Sequence, residues 1–297
     1  MKNNISNYTF KQLHTSTITR LNNINNLLTI TQLFKKYKAL NYTFSLEEEE
    51  VLMNEYVYYT NKLEGNKLSL LQTVSLLKND VVSGENISLK DILEHKGMYK
   101  AINLVFQAVR NKEILSVALL KELNGLAIGS YFKAESAYLS AKNKGQEIGE
   151  FKTSENIIKI TKPKQATQYI EPLSTIENTE SNMKLLINKI NLSNKSVFEK
   201  AVFLAQELWL HQPFIDGNKR TGRLLINFLT MREGYPLFVY SNKATNYNDL
   251  LVTQYLEKKP NLVKNYIEEQ IESKMSNVIE IVKAAKKNKN KGFRMML

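Results

Sequence analysis

A chain of 297 residues with 43% hydrophobic content and no cysteine has enough apolar mass for a buried core, and it excludes disulfides, thiolate catalysis and cysteine-held metals. Its net charge of +12 comes from 41 Lys and Arg, of which only 6 are Arg, and the lysines run along the whole chain among many asparagines, a compositional bias that argues against a nucleic-acid partner. No apolar run reaches the roughly 18 residues of a membrane span and MKNNISNYTF lacks the apolar centre of a secretory signal, so the expectation is a cytoplasmic chain with no membrane partner.

Apolar residues recur at helical spacing through most of the chain and alternation of period two is scarce, which predicts an all-α fold. A helix is expected over 16–37, weakened by its β-branched residues. Ser45 with Glu48 has the capping-box spacing and opens a helix that runs to about Leu63 and stops near Gly65. Further helical patterns cover 69–78, 88–110 and 113–127. The stretch 140–172 differs: Gly145, Gly149, Pro163 and Pro172 punctuate it, and IIKIT has strand-like β-branching, so a loop with a small hairpin is predicted. Helices resume over 175–191, 195–210, 219–233, 246–255 and 260–285, after which KAAKKNKNKGFR reads as a solvated basic tail. No repeat of 20 to 50 residues is visible. The expected organisation is an N-terminal helical extension (1–45), a main domain (46–275) and a basic tail (276–297).

Three of the six arginines, Arg220, Arg223 and Arg232, fall within thirteen residues, directly after WLHQPFIDGN. Asp216-Gly217-Asn218 forms a tight turn that feeds a helix amino terminus, where unpaired backbone N–H groups and the helix dipole attract anions. Gly217 allows close backbone approach and Asn218 offers a side-chain donor. Arg220 and Arg223, three apart, share one helical face and can converge on one phosphate ligand. Asp216 supplies the oxygen that a magnesium–phosphate complex needs. His14, His95 and His211 stand far apart and none makes an HExxH pair, so zinc is not expected.

PFIDGNKRTGR resembles the signature of Fic-domain proteins, His-x-Phe-x-Asp/Glu-Gly-Asn-Gly/Lys-Arg-x-x-Arg, and the likeness extends along roughly 46–270. GEFK at 149–152 resembles the family's Gly-x-Phe-Arg segment, and EGYPLF at 233–238 resembles the stretch after its motif helix. The resemblance implies a Fic-like bundle of about eight helices with a β-hairpin flap over about 157–170. It also implies transfer of AMP from ATP to a Tyr, Thr or Ser hydroxyl of a target protein, another copy of the chain included, and leaves homo-oligomerisation open. ATP and Mg2+ are the implied cofactors, with Asp216 on the metal. Phe214 anchors the ATP-binding loop, Gly217 and Asn218 hold phosphates with Lys219 beside them, and Arg220 and Arg223 contact the β- and γ-phosphates. TNKLEGN at 60–66 resembles the inhibitory-helix motif Ser/Thr-x-x-x-Glu-Gly/Asn, making Thr60, Glu64, Gly65 and Asn66 the implied inhibitory set within a helix over 46–66. Thr60 and Glu64, four apart, share one face, so a Glu64–Arg223 pair would occupy the guanidinium that the γ-phosphate needs.

The family's base is the histidine of His-Pro-Phe, whereas this chain reads His211-Gln212-Pro213-Phe214. Aligned on Pro-Phe, the catalytic position is Gln212, which takes no proton in the useful range; aligned on histidine, it is His211 with one residue inserted. A one-residue shift on a helix turns a side chain by about 100° and points His211 elsewhere, while a bulge at Gln212 and Pro213 would let it reach the loop. Lys219 stands where the family usually has Gly. The related Doc-type toxins carry Asn-Lys-Arg and transfer phosphate, yet they lack the second arginine that this chain keeps as Arg223. AMP transfer therefore leads, with Doc-like phosphate transfer and a catalytically weak nucleotide- or partner-binding regulator as the alternatives.

Overall fold

The computed structural model describes residues 29–133, 139, 141–160, 166–240 and 246–294, with side chains through Ala284. Thr43–Lys274 forms one compact unit, and the described residues before and after it form a second. In the second, α1 (Ile30–Ala39) is opened by a reciprocal capping box between Thr29 and Gln32. The part of the predicted helix over 16–28, like His14, lies outside the described residues. The last helix, α10 (Leu262–Arg294), corrects the expected basic tail: KAAKKNKNKGFR stays helical to Arg294, as lysine and alanine are good helix formers and no proline interrupts them.

The larger unit opens with α2 (Leu46–Lys62), where Glu48 N–H donates to Ser45 Oγ at 3.2 Å and Ser45 N–H to Glu48 Oε2 at 2.7 Å, the capping box expected from the sequence. Then follow α3 (Leu70–Asn79), α4 (Leu89–Arg110) and α5 (Val117–Phe132). The last begins later than predicted because Ser116 caps it through the Leu119 N–H, so 113–116 leads into the helix and lies outside it. Two three-residue strands, β1 (Ile158–Ile160) and β2 (Gln168–Ile170), pair antiparallel with Ile158 opposite Ile170. They are followed by α6 (Thr179–Leu192), α7 (Val197–His211), α8 (Asn218–Arg232) and α9 (Tyr247–Leu256). The expected fold, all-α with a small hairpin, is what the chain forms. Among the described residues no helix is long and apolar enough to cross a membrane.

The helix α8 is the axis of this unit, packed against α7, α4 and α5. Twelve of its residues are buried, on every side of the helix, which forces Arg220, Arg223, Thr221 and Asn227 to find partners inside the protein. Gly222 permits the α7–α8 approach: a Cβ there would sit 3.3 Å from both Cα and Cβ of Ala205, tighter than ordinary contact. Leu224, Leu225, Ile226 and Phe228 are wholly buried and bind the helix into the core.

Candidate active site

The site is built on the loop joining α7 to α8. Helix α7 runs through His211 and ends where Gln212 turns left-handed (φ 46°, ψ 55°), its N–H closing on Leu208 O at 3.1 Å. The next residue, Pro213, cannot extend the helix, and its carbonyl accepts from the Lys152 N–H at 2.9 Å. Phe214 is 1% exposed and lies against the Phe151 ring, centroids 5.4 Å apart, so it anchors the loop as expected. The Asn218 side chain folds back on this loop. Its Oδ1 accepts from Phe214 N–H at 3.0 Å, and its Nδ2 donates to Phe214 O at 2.8 Å and to Gln212 Oε1 at 2.9 Å. With both side-chain hydrogens used, Asn218 shapes the loop; the Gly217 N–H donates to Asp216 Oδ1 at 2.5 Å, and the donors left for a ligand are the amides of the first turn of α8. Gly217 has φ 79°, and a Cβ on it would meet Ile128 Cγ2 at 2.4 Å and Asn124 Nδ2 at 2.9 Å, so only glycine fits. Helix α8 then starts with no side-chain cap, leaving its first amides aimed into the loop.

Asp216 and Arg220 face each other across one turn. Arg220 Nη2 lies 3.2 Å from each carboxylate oxygen of Asp216, while Tyr131 donates its hydroxyl to Asp216 and accepts from Arg220. On its other side Arg220 Nη1 donates to Glu94 Oε1 at 3.1 Å, both side chains 7% exposed. The carboxylate of Asp216 is 44% exposed and is the open end of this network. Asn124, from α5, holds the loop below by donating to Asp216 O at 3.0 Å and to Thr221 Oγ1 at 3.1 Å.

Arg223 is wholly buried and every guanidinium nitrogen is engaged. Nε donates to Thr60 Oγ1 at 2.7 Å, Nη2 to Thr60 O at 3.1 Å, and Nη1 to Glu64 Oε1 at 2.8 Å and Asn248 Oδ1 at 3.2 Å. Glu64 reaches Lys219 Nζ with its second oxygen at 3.3 Å. Burial alone would raise the Glu64 carboxyl, but Arg223, Lys219 and Arg220 together hold it well below the usual carboxylate range. Asn248, from α9, locks the arrangement by donating to Leu63 O at 3.1 Å. The pair joins residues 159 apart in sequence, so it exists only because α2 ends against α8.

His211 points away from this loop's polar atoms. Its Nδ1 lies 2.6 Å from Ser174 Oγ and its Nε2 3.4 Å from Glu207 Oε2, one turn back on α7. Asn182 donates to the same Ser174 hydroxyl at 2.9 Å, fixing its position beside the imidazole. Gln212 is the residue that reaches the Asn218 loop, its Nε2 anchored on Trp209 O at 2.6 Å. Of the two sequence alternatives, the helical one describes the backbone up to His211, and the turn falls at Gln212. Behind the loop, buried Lys152 donates to Ser174 O at 2.6 Å and Asn156 Oδ1 at 3.0 Å; burial pulls its ammonium below the usual range, in part opposed by Glu155. Asn156 in turn donates to Phe214 O at 3.0 Å.

The region with the glycine-turned loop, the uncapped helix start and the two buried arginines is also the one matched in a comparison with known families. The profile described as Fic/DOC family matches residues 114–230, which contain the loop and nearly all of α8. Over that stretch the chain is similar to the Fic/DOC family. The chain is 27% identical over 243 residues to protein adenylyltransferase fic-1 of Caenorhabditis elegans, a match covering 78% of this chain and 42% of that protein, and equally so to its counterpart in Caenorhabditis briggsae. Protein adenylyltransferase Fic of Drosophila ananassae is 26% identical over 185 residues, 61% of this chain and 33% of the fly protein. The chain thus spans less than half the length of these relatives. Among solved structures, a Fic-domain signaling protein from Bacteroides thetaiotaomicron superposes with a TM-score of 0.69 at 26% identity, covering 86% of this chain and 98% of that one. A fragment of Caenorhabditis elegans Fic-1 superposes with a TM-score of 0.68 at 20% identity, covering 96% of this chain and 80% of the fragment, a likeness of fold.

The structure brings Asp216, Gly217, Asn218, Lys219, Arg220 and Arg223 together with Thr60 and Glu64. It places the Asn66 side chain elsewhere, on Glu94 at 2.9 Å, and it uses Gly65 (φ 88°) to turn the chain after α2. Sequence reading missed Glu94, Tyr131, Asn124 and Asn248. Buried polar residues on otherwise apolar helix faces, such as Glu94 and Asn124, are the signal that could have marked them.

Proposed function

We propose that this chain binds ATP with Mg2+ at the start of α8 and transfers AMP to a hydroxyl of a target protein, with Glu64 restraining the site. The observation that carries the reading is the pairing of wholly buried Arg223 with Glu64, because it occupies a guanidinium placed beside an anion-binding helix start. Asp216 is the metal ligand of this reading. Among the described residues no cluster of three or more His, Cys, Asp or Glu could cage a metal, and a lone half-exposed carboxylate suits Mg2+, which takes its remaining oxygens from phosphates and water. Bound there, Mg2+ would neutralise phosphate charge. The amides of the first turn of α8, with Arg220 and a released Arg223, hold the triphosphate. In the transfer, the acceptor oxygen bonds to the α-phosphorus, the α–β bridge breaks and pyrophosphate leaves, while the hydroxyl proton must go to a base. Gln212 supports the loop where a base would act and takes up no proton, and His211 is tied to Ser174 and Glu207, so transfer is slow in this reading.

The geometry of Gln212 and His211 also favours a second reading, a nucleotide-binding regulator whose partner docks on the β1–β2 edge. Lys219, seated on Glu64, keeps Doc-like phosphate transfer as a third. One experiment sorts them. Incubate the Glu64→Gly chain with ATP, Mg2+ and a protein mixture and weigh the products: added AMP supports the first reading, added phosphate the third, and bound ATP without a product the second. A folded Glu64→Gly chain that does not bind ATP overturns all three.

A further inference from the structure

We propose that Asn66, two residues beyond Glu64, acts in the opposite sense to it: through Glu94 it holds Arg220 in the pose that receives phosphate. One short segment then carries both the restraint and a support of the same site, and the inference rests on the nucleotide-binding reading above. Resemblance groups Asn66 with Glu64, but no hydrogen bond of its side chain reaches Arg223, Glu64 or Lys219. Its Nδ2 donates to Glu94 Oε2 at 2.9 Å and to Asp91 O at 3.0 Å, and its Oδ1 accepts from Leu68 N–H at 3.1 Å. The amide is 3% exposed and its orientation is determined, since a flip would set an oxygen against two acceptors.

Glu94 divides its two oxygens between the two ends of this relay. Oε2 takes Asn66 and Oε1 takes Arg220 Nη1 at 3.1 Å, in a setting where Glu94 is 5% exposed. A buried carboxylate with both oxygens bonded resists rotation, so the guanidinium it grips is restrained too. Arg220 has Asp216 as its other acid, and Asp216 is the half-exposed one. When Asp216 turns to a cation, Glu94 remains as the buried countercharge of Arg220. Losing Asn66 leaves Glu94 Oε2 buried with one partner fewer, and the carboxylate can swing away from the pose that aims Arg220. Losing Glu64 instead frees one donor, on Nη1, of Arg223. The two substitutions therefore have opposite signs although the residues are neighbours.

The test uses the full chain carrying Glu64→Gly. Calorimetric affinity for ATP with Mg2+ is compared after adding Asn66→Ala, Glu94→Gln, or both. Asn66→Ala is expected to weaken binding at least about threefold and Glu94→Gln about tenfold, the range of hydrogen bonds to charged groups. The triple variant should bind no more weakly than Glu64→Gly/Glu94→Gln, because both residues act along one path. Unchanged or tighter binding with Asn66→Ala, or losses that multiply, overturns the proposal. A nucleotide-free readout separates it from the reading it rests on: slowed rotation of the Arg220 guanidinium, seen by 15N NMR and assigned by its loss in Arg220→Lys, should speed up in Asn66→Ala. If Glu64→Gly binds no ATP, the nucleotide reading fails and this signal alone decides the relay; an unchanged signal sinks it. Should Glu94→Gln not fold, Asn66→Ala, which removes no charge, carries both measurements.

Discussion

Replacing Glu64 by Gly removes the one carboxylate bound to Arg223 among the described residues and leaves three neutral contacts there, two from Thr60 and one from Asn248. Breaking a fully buried ion pair costs about 3–5 kcal/mol; here the acid is 17% exposed and the arginine keeps hydrogen-bond partners, which points to about 2–3 kcal/mol. The unliganded variant should therefore melt several degrees below the parent chain. The released guanidinium then becomes available to phosphate. A charge-assisted hydrogen bond contributes about 1.5–3 kcal/mol, so ATP affinity should rise by roughly 10- to 150-fold. At a ligand concentration of about 100 times Kd, binding adds about 2.7 kcal/mol of stability, enough to offset the loss. The expected pattern is a lower melting temperature without nucleotide and a recovered one with ATP and Mg2+, read by thermal scanning alongside calorimetry. A folded Glu64→Gly chain whose ATP affinity stays within about threefold of the parent would refute the reasoning.

Acidity should not imitate that substitution. The folded Glu64 carboxyl is held below its ordinary 4.5, so the stabilisation it brings is present above that value and is lost only as pH falls through the lower folded one. ATP affinity of the parent chain should consequently show no rise between pH 7.5 and 5.5, and a rise of tenfold would contradict the pairing. His95 works in the other direction: it is 1% exposed, and burial, against a hydrogen bond to Asp91 O, depresses its pKa from 6.5 to about 4. Stability should fall as pH drops from 6.5 towards 4, by up to about 3 kcal/mol, measured by urea unfolding. A His95→Gln chain with the same slope over that window would exclude His95 as its cause. Gly217→Ala should destabilise the fold by about 2 kcal/mol or more and abolish ATP binding, given a Cβ 2.4 Å from Ile128 Cγ2 and a φ of 79°. Tight binding by that variant would mean the loop can take another shape. Gln212→His in the Glu64→Gly background should raise AMP transfer at least about tenfold, since general bases contribute roughly 10²–10⁴-fold; no gain would count against a missing base.

Local chemistry was legible in the residues themselves. Ser45 with Glu48 started α2 where the capping pattern said, Gly217 turned the chain before α8, and the β-branched IIKIT stretch made one strand of the hairpin. The cap, the positive φ of Gly217 and the β-branching each act within a few positions, which the order of residues determines directly, although the space around Gly217 is closed by Ile128 and Asn124 from α5. Proximity of Glu64 to Arg223 came from resemblance to a family, and Glu94 to Arg220, 126 residues apart, came from no pattern at all. Those pairs arise only when α2 and α4 pack on α8, and burying two guanidiniums then demands acids at whichever positions face them. The direction of His211 was likewise open in the sequence, for it turned on where α7 stops. A tertiary contact decided it together with a local one: Ser174, 37 residues away, and Glu207, one turn back on α7, hold the imidazole, the left-handed turn falls one residue later, and Gln212 is left at the loop.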